Sequence, residues 1–339
     1  MKAVGYQKNL PINAPKALED VELPAPAPGA RDLLVRVHAV SVNPVDTKVR
    51  AGSAPAAGEV KVLGWDAVGV VEAVGAQATG FAVGDRVWYA GSIKRPGANS
   101  ELHAVDARIV SKAPKSLSDA QAAALPLTAI TAWELLFDRL RIAQGGGEGQ
   151  TLMVVGGAGG VGSILIQLAR QLTKLRVIAT ASRPESREWC LELGAHAVID
   201  HSKPLSQALR SAGIEQVDYV ASLTQTGTHY QEIIQSLKPQ GALAVIDDME
   251  GLDPIALKSK SLSLHWELMF TRSMFETPDM QEQGVLLGRV ADLVDSGRVK
   301  TTANGANAVF GRISAENLTR AHALIESGKA VGKIVLEGF

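Results

Sequence analysis

The chain has 339 residues, more than one ordinary compact core holds, so two domains are the default expectation. It is 46% hydrophobic and 20% charged with a formal net charge of -1, which excludes a disordered chain and leaves no electrostatic case for a nucleic-acid or anionic-membrane partner. The single cysteine, Cys190, excludes a disulfide framework and a cysteine-rich zinc site.

The first residues lack the apolar run of a signal peptide, and no apolar run reaches the ~18 residues of a membrane span. A reduced, cytoplasmic protein is the expectation. In chain order, the first third reads as β-rich. Residues 33–40 and 67–75 carry β-branched, partly alternating patterns, and residues 81–89 read as a turn feeding a strand. The Pro-rich stretch 24–29 between them must be loop. Short strands with frequent turns predict a small barrel or sandwich.

The texture changes near Ser118. Residues 119–136 are rich in Ala and Leu and predict two helices broken at Pro126. After the loop 145–149, strands and helices alternate. Strands are expected at 151–155, 176–180, 197–199, 217–221 and 243–246, and helices at 161–172 and 184–193. That alternation predicts an α/β domain with a parallel sheet and helical crossovers. Helices at 283–296 and 316–327 and a strand at 333–336 complete the chain, with no internal repeat.

Gly157-Ala158-Gly159-Gly160-Val161-Gly162 fits the pattern G-x-G-x-x-G between an apolar strand and a helix. In that context the glycines permit a tight turn and close approach of backbone to a pyrophosphate, which the helix N-terminus attracts. The next strand is followed by Ser182 and Arg183, where an NAD site carries an acidic residue for the adenosine ribose. A carboxylate there would repel a 2′-phosphate and Arg favours one, so NADPH is the expected cofactor, with Arg187 a further positive charge. The alternative makes Ser182 a helix cap and Arg183 a solvated charge.

At this point the chain resembles the medium-chain dehydrogenase/reductase superfamily over nearly its whole length. Four stretches carry the resemblance: Ser41-Val42-Asn43-Pro44-Val45-Asp46, Gly64-Trp65-Asp66-Ala67-Val68-Gly69, the run from Ala124 through Leu125-Pro126-Leu127-Thr128 to Thr131-Ala132-Trp133, and the glycine loop. Within it the chain is similar to the zinc-lacking quinone oxidoreductase-like branch, in a group often labelled zinc-type alcohol dehydrogenase-like. The resemblance implies a GroES-like β-barrel domain built from both chain ends (1–125 and 271–339) with a Rossmann domain (126–270) inserted. It also implies a homodimer through the Rossmann domains.

In the metal-using members Cys, His and Cys hold the catalytic zinc. Here those positions carry Asn43, Trp65 and Leu127, and neither Trp nor Leu coordinates zinc. No metal is therefore expected, and Asp46 and Asp66 with a stray histidine do not restore a site. Without a Lewis acid, a conjugated carbonyl acceptor such as a quinone or enone is the tractable substrate, because the added charge spreads over an enolate or phenolate. Asn43 is the expected hydrogen-bond donor to the acceptor oxygen, with a loop cap before Pro44 as its alternative. The resemblance gives Thr131 the nicotinamide contact, and Thr128 lies one turn earlier. Tyr89 is a candidate proton donor. Trp65, Trp266 and Phe270 are candidate pocket residues, the last two sharing a face if that segment is helical. Two other readings stay open: an enoyl-thioester reductase and a non-enzymatic NADPH-binding protein.

Overall fold

The computed structural model describes residues 1–303, 305 and 308–339. The chain divides into two compact units, Met1–Ile130 with Phe270–Phe339, and Thr131–Met269.

The first unit is β-rich, with β-branched strands that are largely buried. β1 (Lys2–Tyr6), β2 (Glu19–Glu22) and β4 (Lys61–Val62) form a small antiparallel sheet in the order β2-β1-β4. β3 (Asp32–Val42) is the spine of a larger one, whose order is β15-β3-β5-β6-β8. It pairs antiparallel with β5 (Ala67–Val74), with β7 (Leu102–Asp106) and with the C-terminal β15 (Ile334–Glu337). β6 (Arg86–Tyr89) and β8 (Val110–Lys112) extend the β5 side. Leu33, Val35, Val40, Trp65, Trp88 and Tyr89 are buried in its core. The register Ile334↔Val42 brings the chain's last strand beside the end of β3, which is why both chain ends form one domain.

Helices of this unit carry ordinary start signals or are short turns. α1 (Pro44–Gly52) has Asn43 as N-cap, Pro44 in its first turn and Asp46 closing a capping box. α2 (Asp119–Ala123) is capped by Ser118, whose hydroxyl accepts from the Gln121 amide. α8 (Thr271–Phe275), α9 (Glu282–Asp295) and α10 (Ala315–Glu326) follow the return crossing at Phe270.

α3 (Pro126–Trp133) starts where Pro126 breaks the helix, as the sequence predicts. It does not stop at 136. The chain widens into a π turn, Glu134–Arg139, in which the Leu140 amide reaches back to Leu135 O at 2.9 Å. The helical run Asp119–Arg139 is apolar and long enough to cross a membrane, but 89% of its apolar window is buried inside the fold, so burial in the core accounts for its composition.

The second unit holds six parallel strands in the order β11-β10-β9-β12-β13-β14. They are β9 (Thr151–Val155), β10 (Arg176–Thr180), β11 (Ala197–Ile199), β12 (Val217–Ser222), β13 (Leu237–Val245) and β14 (Ser263–Trp266), with helices α4 (Gly160–Leu172), α5 (Pro184–Glu192), α6 (Leu205–Ser211) and α7 (Thr226–Ser236) as crossovers. This is the doubly wound Rossmann order, with its reversal between β9 and β12. Met153, Val155, Ile178, Val220 and Leu243 fill its core, as near-continuous apolar strands buried on both faces require.

The observed boundary falls at 130/131 rather than 125/126, because the first turns of α3 are held by the barrel unit. At the other crossing it falls one residue before Phe270, which belongs to the barrel unit rather than the Rossmann unit. The segment around Trp266 is a strand and not a helix, so the spacing of Trp266 and Phe270 does not place them on one face. Pairing Val245 with Trp266 fixes that strand at the sheet edge.

Candidate active site

The glycine turn sits at the C-terminal end of β9, beside the strand-order reversal where open parallel sheets bind ligands. Its shape is set by β10. The Gly156 amide donates to Thr180 Oγ1 and the Gly157 amide to Thr180 O, each at 3.1 Å. Gly156, with φ +83°, adopts the left-handed conformation that glycine tolerates without strain. At Gly162 a Cβ would stand 2.5 Å from the carbonyl oxygens of both Gly156 and Gly157, so only glycine lets α4 approach the strand this closely. Gly159 is the N-cap of α4 and Gly160 and Val161 open the helix. The first N–H groups of a helix lack intrahelical acceptors and carry its positive dipole end. Ser163 Oγ accepts from Trp189 Nε1 at 2.8 Å, tying α4 to α5.

Beyond β10, Ser182 is exposed and Arg183 half-buried. Arg183, not Ser182, is the N-cap of α5, and it makes no side-chain cap bond. Its Nε lies 3.4 Å from Glu185 Oε1, a weak exposed pair that a stronger anion displaces readily. Arg187 lies one turn on, half-buried. His201, just past the end of β11, contacts Thr180 Oγ1 through Nδ1 at 3.0 Å. Burial, with a contribution from the positive Arg183, holds its imidazole below the ordinary range. A turn shaped by glycines and a helix N-terminus fit the pyrophosphate of a dinucleotide, with Arg183 and Arg187 following the next strand.

In the barrel unit, the positions where zinc ligands were sought hold a closed polar network. Asp66, 0% exposed, is its centre. Its Oδ2 accepts from Ser41 Oγ (2.8 Å), Asn43 Nδ2 (2.9 Å) and Lys333 Nζ (3.0 Å), and its Oδ1 from the Leu127 amide (2.7 Å). Asp66 therefore satisfies an orphan amide at the start of α3 while pairing with the Lys333 ammonium. Lys333 also donates to Val42 O at 3.2 Å and to Asn43 Oδ1.

The Asn43 amide is thus committed at both ends, with its nearest further acceptor, Ser41 O, at 3.4 Å. The side chain is 1% exposed. The expectation that Asn43 donates to an acceptor oxygen is corrected here: burial and the Asp66–Lys333 pair turn the amide inward. Asp46 accepts from the Asn43 amide (2.7 Å) and the Gly64 amide (3.0 Å). Burial pushes its carboxyl up to about 7, against the pull of those two amides and of Lys333.

The other expected site residues are placed plainly. Trp65 is buried, donates from Nε1 to Ser92 O at 3.1 Å and meets Phe270 edge-on at 6.1 Å between ring centroids. Trp266 is half exposed on its strand in the other unit and takes no part in that pair. Leu127 is buried core. Tyr89 is fully buried, and burial raises its phenol far above the ordinary range. Its hydroxyl contacts His103 Nδ1 at 3.1 Å, while His103 Nε2 contacts Pro96 O at 2.9 Å. Burial lowers His103 to about 4, so it is neutral and packs against Tyr89. His38, by contrast, is partly exposed and pairs with Asp119 at 2.9 Å. Thr128 bonds its own helix, at Leu125 O, and Thr131 is 4% exposed.

The donor set does not fit zinc: an internally bonded amide, an indole and an alkyl chain stand at the ligand positions. Among the described residues no group of three His, Cys, Asp or Glu side chains is placed to hold a metal.

A GroES-like domain to which the C-terminal strand contributes, with a Rossmann domain inserted, is the architecture of the medium-chain dehydrogenase/reductase oxidoreductases. Residues 29–115 match the alcohol dehydrogenase GroES-like domain and residues 193–336 match the zinc-binding dehydrogenase family. A zinc-type alcohol dehydrogenase-like protein of Staphylococcus aureus is 40% identical over 339 residues, covering 99% of each chain. The chain belongs to this zinc-type alcohol dehydrogenase-like family, and is an oxidoreductase of that superfamily. A 2-methylene-furan-3-one reductase of Solanum lycopersicum is 31% identical, over 90% of this chain and 71% of its own. A Rhizobium etli protein assigned to the zinc-dependent alcohol dehydrogenases superposes with a TM-score of 0.96 at 55% identity, covering 100% and 98% of the two chains. A Pseudomonas syringae quinone oxidoreductase superposes with a TM-score of 0.82 at 27% identity, covering 99% of each.

Sequence reasoning missed Gly156, Thr180, His201 and Lys333. A glycine directly after a buried strand, and polar residues at the C-terminal ends of parallel strands, are signals that find the first three. Lys333 gives no local signal.

Proposed function

We propose that this chain is an NADPH-dependent reductase that uses no zinc and acts on a conjugated carbonyl acceptor, a quinone or an enone. The observation that carries the reading is the polar network at the zinc-ligand positions. Asn43, Asp66 and Lys333 satisfy one another there, and Trp65 and Leu127 are core.

NADPH, when bound, supplies the hydride. The turn from Gly156 to Gly162 and the first amides of α4 would hold its pyrophosphate, and Arg183, with His201 and Arg187 nearby, would face its 2′-phosphate. Thr131 would stand at the nicotinamide by the family resemblance. The barrel network has a supporting part: Asp66 and Lys333 fix the end of β3 and the start of α3, the helix that carries Thr131 toward the Rossmann unit. Asn43 is in this reading a positioning residue.

The acceptor class follows from charge. Reduction of a saturated ketone leaves a localised alkoxide, which calls for a strong electrophilic partner. Hydride addition to an enone or quinone leaves a delocalised anion that ordinary hydrogen bonds stabilise. The tomato relative acts, by its name, on an exocyclic methylene conjugated to a ketone, which supports the same class.

The test is a panel of acceptors with NADPH oxidation as readout: small enones, quinones, saturated ketones, aldehydes and enoyl thioesters. Turnover is expected with enones or quinones and not with saturated ketones. Preferential turnover of saturated ketones would overturn the acceptor class, and preference for enoyl thioesters would move it to thioester chemistry.

A further inference from the structure

The two chain segments that connect the units both pass a buried acid pair. The chain crosses into the Rossmann unit at Thr131 and leaves it after Met269. Glu134 follows the first crossing and Glu267 precedes the second. Glu134 is 0% and Glu267 4% exposed. Both face one guanidinium: Arg139 Nε donates to Glu267 Oε2 at 2.7 Å, and an Arg139 terminal nitrogen lies 3.7 Å from Glu134 Oε2. Glu134 and Arg139 are the first and last residues of the π turn, so the widened helix aims both at one point. The Glu267 amide donates to Val245 O at 2.9 Å, anchoring this point to the end of β13.

Charge accounting decides the protonation state. Two carboxylates and one guanidinium leave a net buried negative charge, which desolvation makes costly. Among the described residues no donor reaches Glu267 Oε1, although that atom is buried. The Glu134 carboxyl lies within hydrogen-bonding reach of Glu267. One proton between the two carboxyls removes the excess charge and supplies the missing donor together. Burial first, then the charge of Glu134, hold the pair's proton affinity well above the ordinary carboxyl range. His265 on β14 is lowered by burial and by the positive Arg141 and Arg139, so it adds no cation to oppose the proton, and Arg141 is itself exposed, where solvent screens its charge.

We propose that Glu134 and Glu267 hold one proton between them, and that this proton, with Arg139, clasps the two connecting segments to each other on the Rossmann side. The consequence is a fold that loosens at these segments in alkali. The sign follows from linkage: a carboxyl held above its ordinary 4.5 contributes stability that is fully present below that value and is lost progressively as pH rises from there through the raised folded-state value.

The test uses the full-length, cofactor-free protein, so its outcome is independent of which acceptor or cofactor the enzyme uses. The variants are Glu267→Gln and Glu134→Gln, each able to give the remaining carboxylate an N–H donor without a titrating proton. Infrared spectra at neutral pH should show, in the wild-type-minus-variant difference, the carbonyl band of a protonated carboxylic acid that disappears as pH rises into the alkaline range. Taking this difference removes Asp46, which both proteins share. Amide hydrogen exchange in 131–139 and 264–270 should accelerate beyond its intrinsic rise in the wild type over the pH range leading up to the loss of that band, and not in Glu267→Gln. If one variant fails to fold, the other serves alone. A difference spectrum without the acid band, or equal exchange profiles in wild type and variant, overturns the proposal.

Discussion

At the scale of single residues, the nucleotide end and the barrel end of the site differ in how much of their chemistry is local. Arg183 follows β10 where an acid would read an adenosine ribose, and its exposed contact with Glu185 is a weak one. Arg183→Ala should raise the apparent constant for NADPH about tenfold or more, the worth of one charged hydrogen bond, and leave that for NADH nearly unchanged. Equal effects on the two cofactors in steady-state kinetics would show that Arg183 does not read the phosphate. That residue was legible because it depends only on its place after a strand. Lys333 was not, because its carboxylate partner lies 267 positions away and meets it only when β15 pairs with β3. Lys333→Met should cost about 3–5 kcal/mol, the usual consequence of stranding one half of a buried ion pair. Denaturant unfolding should register the loss, and a variant as stable as the wild type would show that Asp66 is satisfied without the ammonium. Asn43 was legible as a site position but not in its orientation, which its two distant partners set.

At the scale of elements, the glycine turn is the most constrained piece of backbone. Gly162→Ala forces a Cβ to within 2.5 Å of two carbonyl oxygens, and backbone cannot yield as a side-chain tip does. The variant should fold with a loss of about 1–3 kcal/mol and bind dinucleotide far more weakly, measured by fluorescence titration. Dinucleotide affinity equal to the wild type would show that the turn does not shape the site. Strand–glycine–helix order made this turn readable, since period, turn chemistry and length agree within a dozen residues. The segment after β13 offers no such agreement, and its type stays open in the sequence. Four residues, Ser263–Trp266, carry too little pattern to separate strand from helix, and pairing with β13 decides it. The π turn was equally hidden: Glu134 and Arg139 have no special propensity, and the widening reflects the buried partner they share.

At the scale of the whole molecule, the alternation of strands and helices disclosed the Rossmann unit, while the contribution of both chain ends to one barrel entered through family resemblance and not through pattern. Resemblance also implies a homodimer. β14 is the edge strand of its sheet, with Trp266 and Leu268 each half exposed beside it, and an open edge of this kind invites pairing with a second copy. Trp266→Asp should convert a dimer to a monomer in light scattering, and an unchanged mass would place the interface elsewhere or exclude one.

The most direct test of the account asks whether reduction proceeds without zinc. The protein is purified, its metal content measured by elemental analysis, and NADPH-dependent reduction of a small enone followed before and after exhaustive chelation. The account predicts zinc far below one per chain and a kcat/KM that chelation leaves unchanged. About one tightly held zinc per chain, with activity lost on its removal and restored on its return, would contradict it.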